Sequence, residues 1–211
     1  MKKHIAIIDC ATKTPAFSSF NKLVFEFPYQ FTYHLPSIYG FSSLDYDEDA
    51  CVYILFGSSS NVTENLPWHH ELASRMKKKI ENGVPVLGIC FGHQLMAHAY
   101  GALVDYRSED KTSLKGTRKI QIINERYHFK KGNSFNLVVA HAQEVKTLPE
   151  CFDHIAASSE CFYDVVAHKK WPYLGCQAHP EASDAFIKEV VNMDNCPHEG
   201  HSFLSSFFNG R

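Results

Sequence analysis

Short apolar runs and one strongly periodic segment organise the first half of the chain. Apolar residues fill His4–Ile8, Ala50–Leu55 and Val84–Ile89, and runs of this length between turn residues are typical of buried strands. From Trp68 to Ile80 an apolar residue instead returns at every fourth position, which is the spacing of one helix face. The pattern therefore predicts strands that alternate with helices over this half of the chain.

Strand-like segments dominate the second half. They are Lys119–Ile123, Leu137–Ala140, His154–Ala157, Tyr163–Ala167 and Tyr173–Gln177. Alternation early and strands later predict an α/β fold: a mostly parallel open sheet with helices on both faces and an antiparallel extension. We expect residues 1–211 to form one domain, because 211 residues suit a single core. Ala182–Met193 has the pattern of a final helix, whereas residues 17–49, rich in Phe, Tyr and Ser, give no clear assignment.

Composition and charge limit the classes of partner. Apolar residues make up 45% of the chain, charged residues 21%, and the net charge is -2, so nothing favours nucleic acid or an anionic membrane. No apolar stretch approaches membrane-spanning length, and Asp9 interrupts the apolar start too early for a signal peptide. Seven cysteines, an odd number without a Cys-x-x-Cys pair, favour a reducing cytoplasm over a disulfide framework.

One cysteine stands where the third apolar run meets the next helix. The segment Gly88-Ile89-Cys90-Phe91-Gly92 follows apolar residues and precedes a helical stretch, His93–Tyr100. A strand, a sharp turn that carries a nucleophile, and a helix are the layout of a nucleophile elbow. The glycines avoid collisions with the neighbouring strand and helix, and the N-terminus of the helix favours a thiolate. The segment therefore indicates that Cys90 is a nucleophile.

A base with a partner carboxylate follows about ninety residues later, in Gly175-Cys176-Gln177-Ala178-His179-Pro180-Glu181. Proline biases the residue before it toward an extended backbone, where residues two apart point the same way. His179 and Glu181 can therefore share one side, with the carboxylate orienting the imidazole toward a thiol. Either segment alone is more often a structural turn; the two together, each after a strand, favour a catalytic site.

These two segments and one between them resemble the class I glutamine amidotransferases, whose glutaminase domains use a catalytic triad. The third segment, Val138-Val139-Ala140-His141-Ala142-Gln143-Glu144-Val145, is similar to the family's Ser-His-x-Asp-x-Val segment, and Leu148-Pro149-Glu150 follows it. The likeness runs from about Asp49 to Met193. The cysteine and His-Pro-Glu motifs are specific in combination.

The resemblance implies a role for each matching residue of the reaction centre. Cys90 would be the nucleophile, His179 the general base and acid, and Glu181 the residue that orients His179. The backbone N–H of Phe91 would be one oxyanion donor, and the loop at Gly57 and Ser58 would supply the other. Three further residues would meet the substrate. They are Gln94, Ala140 and His141.

The chain departs from the family pattern at three places. The oxyanion loop, usually Gly-Gly-Pro-x-Ser, is here Phe56-Gly57-Ser58-Ser59-Ser60, so a glycine and a proline are missing. Gln143 stands where an aspartate is usual, and Ala178 replaces a bulky aromatic before the histidine. We expect Ala178 to leave space near the base, so that substrate preference could differ from plain glutamine.

The implied reaction is acyl transfer to sulfur and needs neither a cofactor nor a metal. A γ-carboxamide, of glutamine or of a γ-glutamyl compound, would form a thioester with Cys90 and release ammonia or an amine. Three functions stay open. The chain is a glutaminase that passes ammonia to a separate synthase, a free-standing γ-glutamyl hydrolase, or a catalytically weak regulatory or binding module on the same scaffold.

Several other histidines and cysteines have simpler interpretations. His69-His70 reads as part of an exposed helix start, and His93 as a packed core histidine. The segment Cys196-Pro197-His198-Glu199-Gly200-His201 lacks the spacing of a structural zinc site and reads as a polar turn before an apolar tail docked on the body. Cys10 lacks flanking glycines and is not expected to be the nucleophile.

Overall fold

A nine-stranded sheet runs through the computed structural model, which describes residues 4–194 and 196–210. The strands are β1 His4–Ile8, β2 Gln30–His34, β3 Val52–Leu55, β4 Val86–Ile89, β5 Val104–Tyr106, β6 Leu114–Ile122, β7 Ser134–His141, β8 Gln143–Val145, β9 Phe152–Ala157, β10 Val165–His168 and β11 Tyr173–Cys176. The helices are α1 Phe17–Glu26, α2 Pro36–Tyr39, α3 Ser42–Asp45, α4 Pro67–Glu81, α5 Phe91–Ala99, α6 Asp184–Phe186 and α7 Gly200–Asn209. A 3₁₀ turn covers Val62–Glu64 and a π-type turn covers Ile187–Val191.

The order of strands in the sheet confirms the predicted fold class. It is β2-β1-β3-β4-β11-β10-β9-β6-β7, and β5 pairs with β8 in a small separate sheet. The first five strands of this order are parallel, and the remaining four extend the sheet with antiparallel pairs. The carboxyl ends of β1, β3, β4 and β11 therefore meet at one edge, where open α/β sheets place their sites.

Two apolar layers hold helices against opposite faces of the sheet. One layer contains Leu23 of α1 and Phe203 of α7, and the other contains Leu72 of α4 and Leu95 of α5. All four side chains are at most 2% exposed. At roughly 25 cal/mol per Å² of buried apolar surface, these layers are the main stabilisation of the fold.

Two predictions near the C-terminus are corrected. The segment predicted as one final helix, Ala182–Met193, begins only at Asp184 and widens into the π-type turn over Ile187–Val191. It is also not the last helix among the described residues, because the tail predicted as docked on the body forms α7. The docking itself is confirmed: the apolar residues of the tail are buried. They are Phe203, Leu204, Phe207 and Phe208.

The unassigned stretch, residues 17–49, contains α1, β2, α2 and α3. Helices α2 and α3 have only four residues each, too short for a periodic pattern to emerge from the sequence. No helix within residues 4–194 and 196–210 is long and apolar enough to cross a lipid bilayer. The single domain over 1–211 stays a prediction.

Candidate active site

The strand–turn–helix predicted around Cys90 is present. Cys90 lies between β4 and α5 with φ +50° and ψ −102°, a conformation that non-glycine residues rarely adopt. Its N–H donates to the carbonyl of Cys176 across 2.8 Å, and its own carbonyl accepts from the N–H of Gln94 across 3.0 Å. Helix α5 begins at Phe91, two residues earlier than predicted, so its N-terminus directly follows the cysteine.

Close packing on both sides of the turn explains its two glycines. A Cβ at Gly88 would lie 2.6 Å from the carbonyl oxygen of Gly92, inside the first turn of α5. A Cβ at Gly92 would lie 2.6 Å from Cβ of Leu55, the last residue of β3. Any side chain at either position would push the helix away from the sheet and move Cys90 with it.

His179 and Glu181 follow β11 on the same edge of the sheet. The N–H of His179 donates to the carbonyl of Val138 across 2.8 Å, which fixes the segment beside β7. The imidazole Nδ1 donates to Oε1 of Glu181 across 2.8 Å, and both side chains are buried. The ring of Phe186 covers the imidazole at a centroid distance of 4.7 Å. The carboxylate therefore fixes the orientation of a shielded histidine.

The side chains of Cys90 and His179 are neighbours. A Cβ built on Gly57 would lie 2.9 Å from Cε1 of His179 and 3.7 Å from Cβ of Cys90. The thiol donates weakly to the carbonyl of Ala140 across 3.9 Å, and Nε2 of His179 makes no hydrogen bond of normal geometry. Nε2 is thus unoccupied beside the sulfur, as proton transfer between the two requires.

Electrostatics favour a protonated His179. Burial lowers its pKa, but Glu181 and the negative charge of an ionised Cys90 outweigh burial and raise the pKa well above the ordinary value. A protonated imidazole between a carboxylate and a sulfur is the arrangement that stabilises a thiolate.

The loop Gly57-Ser58-Ser59-Ser60 joins this pair at the end of β3. Its N–H at Ser60 donates to Oγ of Ser58 across 3.0 Å, a short side-chain turn. The hydroxyl of Ser59 is hydrogen-bonded to that of Thr12, in the loop that follows β1, at 3.0 Å. Two loops from neighbouring parallel strands therefore support each other beside Cys90.

The three predicted substrate-binding residues lie on α5 and at the end of β7. Nε2 of Gln94 donates to the carbonyl of Gln143 across 2.6 Å and to Oε1 of Gln177 across 3.0 Å. Both donors of the Gln94 amide are thus used inside the protein. Ala140 and His141 stand beside it in the wall of the same cavity.

Sequence reasoning missed a buried charged pair behind this wall. Nη1 of Arg118 donates to Nε2 of His141 across 3.1 Å, and Nη2 forms a short hydrogen bond with Asp164. Nδ1 of His141 donates to the carbonyl of Gln143 across 3.0 Å. Burial, with Arg118 second, lowers the pKa of His141 to about 3, so the ring is neutral. The alternation of β6, which puts Arg118 on the same face as Ile120, is the signal that could have revealed it.

One cavity of about 620 Å³ contains all the predicted site residues. They are Gly57, Ser58, Cys90, Phe91, Gln94, Ala140, His141, His179 and Glu181. Two departures from the family pattern behave differently. Gln143 lines the cavity, and its amide donates to Thr63 across 2.8 Å. Ala178 is fully buried and is absent from the lining, so it opens no space there, contrary to expectation.

The remaining histidine and cysteine predictions have mixed outcomes. His69 is 2% exposed, so the prediction of an exposed position is wrong for it, although His70 is exposed. His93 is fully buried, as predicted. All seven cysteines lie in the described ranges and are free. The described residues contain no group of three or more His, Cys, Asp or Glu side chains arranged to hold a metal, Cys196 and His198 included.

Comparison with known proteins places this site in a family. Residues 46–191 match the family described as Glutamine amidotransferase class-I, and the chain belongs to that family. The resemblance inferred from the motifs is therefore confirmed.

Named relatives narrow the likeness. The glutaminase-bearing component of a glutamine-hydrolyzing GMP synthase from Methanococcus maripaludis is 37% identical over 126 residues, 59% of this chain and 65% of the relative. The matched part thus spans about two thirds of that relative's length. The corresponding GMP synthase component from Methanospirillum hungatei is 29% identical over 163 residues, 76% of this chain and 73% of the relative.

Solved structures share the fold at low identity. A proposed GMP synthase component from Thermoplasma acidophilum aligns with a TM-score of 0.74 at 20% identity, covering 98% of this chain and 94% of that one. A glutamine amidotransferase from Thermotoga maritima aligns with a TM-score of 0.70 at 17% identity, covering 89% and 80%. These likenesses establish the α/β architecture.

Proposed function

We propose that this protein hydrolyses a γ-carboxamide, that of glutamine in the first place, through a thioester on Cys90, and releases ammonia for a separate synthase. The observation that carries the proposal is the buried Cys90–His179–Glu181 arrangement within a single cavity. Family membership supports the same chemistry, because the family is one of glutamine amidotransferases.

The first half of the reaction forms the thioester. The Cys90 thiolate attacks the γ-carbonyl carbon, and the carbonyl electrons move to oxygen to give a tetrahedral oxyanion. His179, protonated and held by Glu181 at 2.8 Å, gives its proton to the departing nitrogen. The C–N bond breaks, ammonia leaves, and the neutral imidazole remains.

The second half regenerates the enzyme. Neutral His179 takes a proton from water, and the resulting hydroxide attacks the thioester carbon. The C–S bond breaks, glutamate leaves, and Cys90 and His179 return as a thiolate–imidazolium pair. Glu181 favours the protonated ring in both halves, since burial leaves it as a close countercharge.

Backbone donors stabilise the oxyanion in this proposal. The N–H of Phe91 opens helix α5 and follows the nucleophile directly. The second donor comes from the loop at Gly57 and Ser58, where a backbone without a side chain at Gly57 lies against both Cys90 and His179. The loss of one such donor typically costs about 3–4 kcal/mol of transition-state stabilisation.

Substrate contacts are assigned to Gln94, Ala140 and His141. The internal hydrogen bonds of the Gln94 amide donors turn its oxygen to other partners, so that oxygen is available to a substrate N–H. His141 is neutral, which avoids a buried positive charge beside the imidazolium of His179.

A partner synthase is proposed from the relatives. They are named as components of a glutamine-hydrolyzing GMP synthase, so a second protein would receive the ammonia that this chain releases. The alternative is a γ-glutamyl hydrolase that needs no partner. It is favoured by the cavity, which continues past Cys90 along Thr12 and Pro15 and so offers room for a leaving group larger than ammonia.

A substrate panel tests the proposal. Glutamine and γ-glutamyl dipeptides are supplied to the wild-type protein, to Cys90→Ala and to His179→Ala, with Cys196→Ala as a matched cysteine control. We expect ammonia release from glutamine that both site variants abolish and the control retains. Faster cleavage of the dipeptides would favour the partner-free hydrolase, and undiminished turnover in Cys90→Ala would exclude both.

A further inference from the structure

The hydroxyl of Ser60 is the fixed point of the oxyanion loop. It donates to Oε2 of Glu64 across 2.6 Å and is hydrogen-bonded to Nε2 of His69 at 3.0 Å. The N–H of the same residue donates to Oγ of Ser58. A loop of three serines without proline loses much conformational entropy when it becomes ordered, so these contacts are what keeps it in one conformation.

His69 has one tautomer that satisfies all its contacts. Its Nδ1 accepts the N–H of Leu66 across 3.3 Å, before the first turn of α4, so the ring proton is on Nε2 and is donated to Ser60. Ser60 then passes its own proton toward Glu64, and the three groups form a directed chain. Burial lowers the pKa of His69, in keeping with a neutral ring.

The same ring touches the other side of the proposed oxyanion site. It packs on the ring of Phe91 at a centroid distance of 5.1 Å, and Trp68 covers both rings, at 4.2 Å from His69 and 5.3 Å from Phe91. Phe91 is 1% exposed, so its position, and that of its N–H, is set by this packing.

We propose that His69 is a positioning residue that sets the separation of the two oxyanion donors, by holding Ser60 through Nε2 and Phe91 through its ring. This inference rests on the proposed function, since it assigns a purpose to the same site. His69 itself reaches no reacting atom and lies outside the cavity that contains Cys90. Displacing donors from the oxyanion slows the chemical step and leaves ground-state binding in place.

Two substitutions separate positioning from simple support of α4. In His69→Gln the side-chain amide N–H stands where Nε2 stood and can donate to Ser60, but the contact with Leu66 is lost. In His69→Asn the amide oxygen stands near Nδ1 and can accept from Leu66, but Ser60 loses its donor. His70→Asn, the exposed neighbour, is the matched control.

We expect His69→Asn to lower kcat for glutamine by about tenfold or more with KM within about twofold, because misplaced donors act on the transition state. His69→Gln is expected to recover most of kcat although it loses the helix contact. Equal kcat in the two variants, or a loss confined to KM, would overturn the assignment.

Hydrogen exchange gives a readout that does not need turnover. The amides of residues 58–61 should exchange faster in His69→Asn than in His69→Gln or His70→Asn, while amides of the core strand β4 stay protected. Equal exchange in all three variants would overturn the proposal. A wild-type protein that hydrolyses no γ-amide would contradict the proposed function, and the exchange comparison would still decide whether His69 holds the loop.

Discussion

The guanidinium of Arg118 donates a hydrogen bond to Nε2 of His141 across 3.1 Å, and this contact fixes the tautomer of a histidine in the cavity wall. Arg118 also binds Asp164, and the side chains of this ion pair are at most 1% exposed. The pair links β6, the start of β10 and the end of β7 behind the substrate cavity. Its removal should therefore affect stability before it affects chemistry.

Arg118→Met is expected to destabilise the protein by about 3–5 kcal/mol, because it leaves Asp164 buried without its countercharge. Urea unfolding measures the change in the free energy of unfolding. The double variant Arg118→Met, Asp164→Leu removes both charges and should recover most of the loss. A double variant as unstable as the single one would show that the pair contributes through packing and not through charge.

Gly57→Ala tests the crowding at the reaction centre. The added Cβ would lie 2.9 Å from Cε1 of His179, so the imidazole must move although every backbone donor is kept. We expect kcat to fall by roughly a hundredfold or more, since small misplacements of catalytic groups have effects of that size. Ser59→Ala, at the exposed tip of the same loop, should stay near wild type. Wild-type turnover in Gly57→Ala would mean that His179 does not act from this position.

Glu181→Gln keeps the shape of the carboxylate and removes its charge. His179 should lose the interaction that raises its pKa, so the protonated form becomes less populated at neutral pH. We expect kcat to fall by about ten- to a thousandfold, less than in Cys90→Ala, because orientation and charge are lost but the nucleophile stays. A Glu181→Gln enzyme with unchanged kcat and an unchanged pH–rate profile would remove Glu181 from the site.

Acid stability should follow two buried histidines. Burial lowers the pKa of His93 and of His141 to about 3, against an ordinary value of 6.5. Between these values the unfolded chain binds protons that the folded protein does not, so the free energy of unfolding falls as the pH drops from 6.5 toward 3. Asp164, whose pKa burial raises to about 6, acts in the opposite direction below that pH.

Urea unfolding at several pH values measures this linkage. His93→Gln should reduce proton uptake on unfolding by about one proton near pH 5, whatever its effect on absolute stability. His70→Gln serves as the exposed control, and its slope should match wild type. A slope that His93→Gln leaves unaltered would mean that His93 is already protonated in the folded protein.

The parts of this site that could be predicted from sequence depend on local sterics. The strand–Cys90–helix turn is recognisable because glycine is required at both flanking positions, and the structure shows the two close approaches that require it. The extended His179–Glu181 pair is recognisable because Pro180 restricts the backbone before it. Both features are fixed within a few residues of the chain, so a local pattern suffices to predict them.

The parts that sequence analysis missed depend on contacts between distant residues. His69 looked exposed because a histidine near a helix start usually is; only its packing on Phe91 buries it. Arg118 finds its countercharge 46 residues away, which no local pattern encodes. The turn at Ile187–Val191 departs from α-helical spacing, so the periodicity of the sequence did not indicate where α6 ends.

The most direct test of the central claim is to trap the covalent intermediate. The protein is mixed with glutamine, quenched in acid within a few turnovers, and its peptides are weighed by mass spectrometry. The account predicts one γ-glutamyl group on the peptide that carries Cys90, none on the other six cysteines, and none at all in Cys90→Ala. Release of ammonia from glutamine without that adduct, and at an undiminished rate in Cys90→Ala, would contradict it.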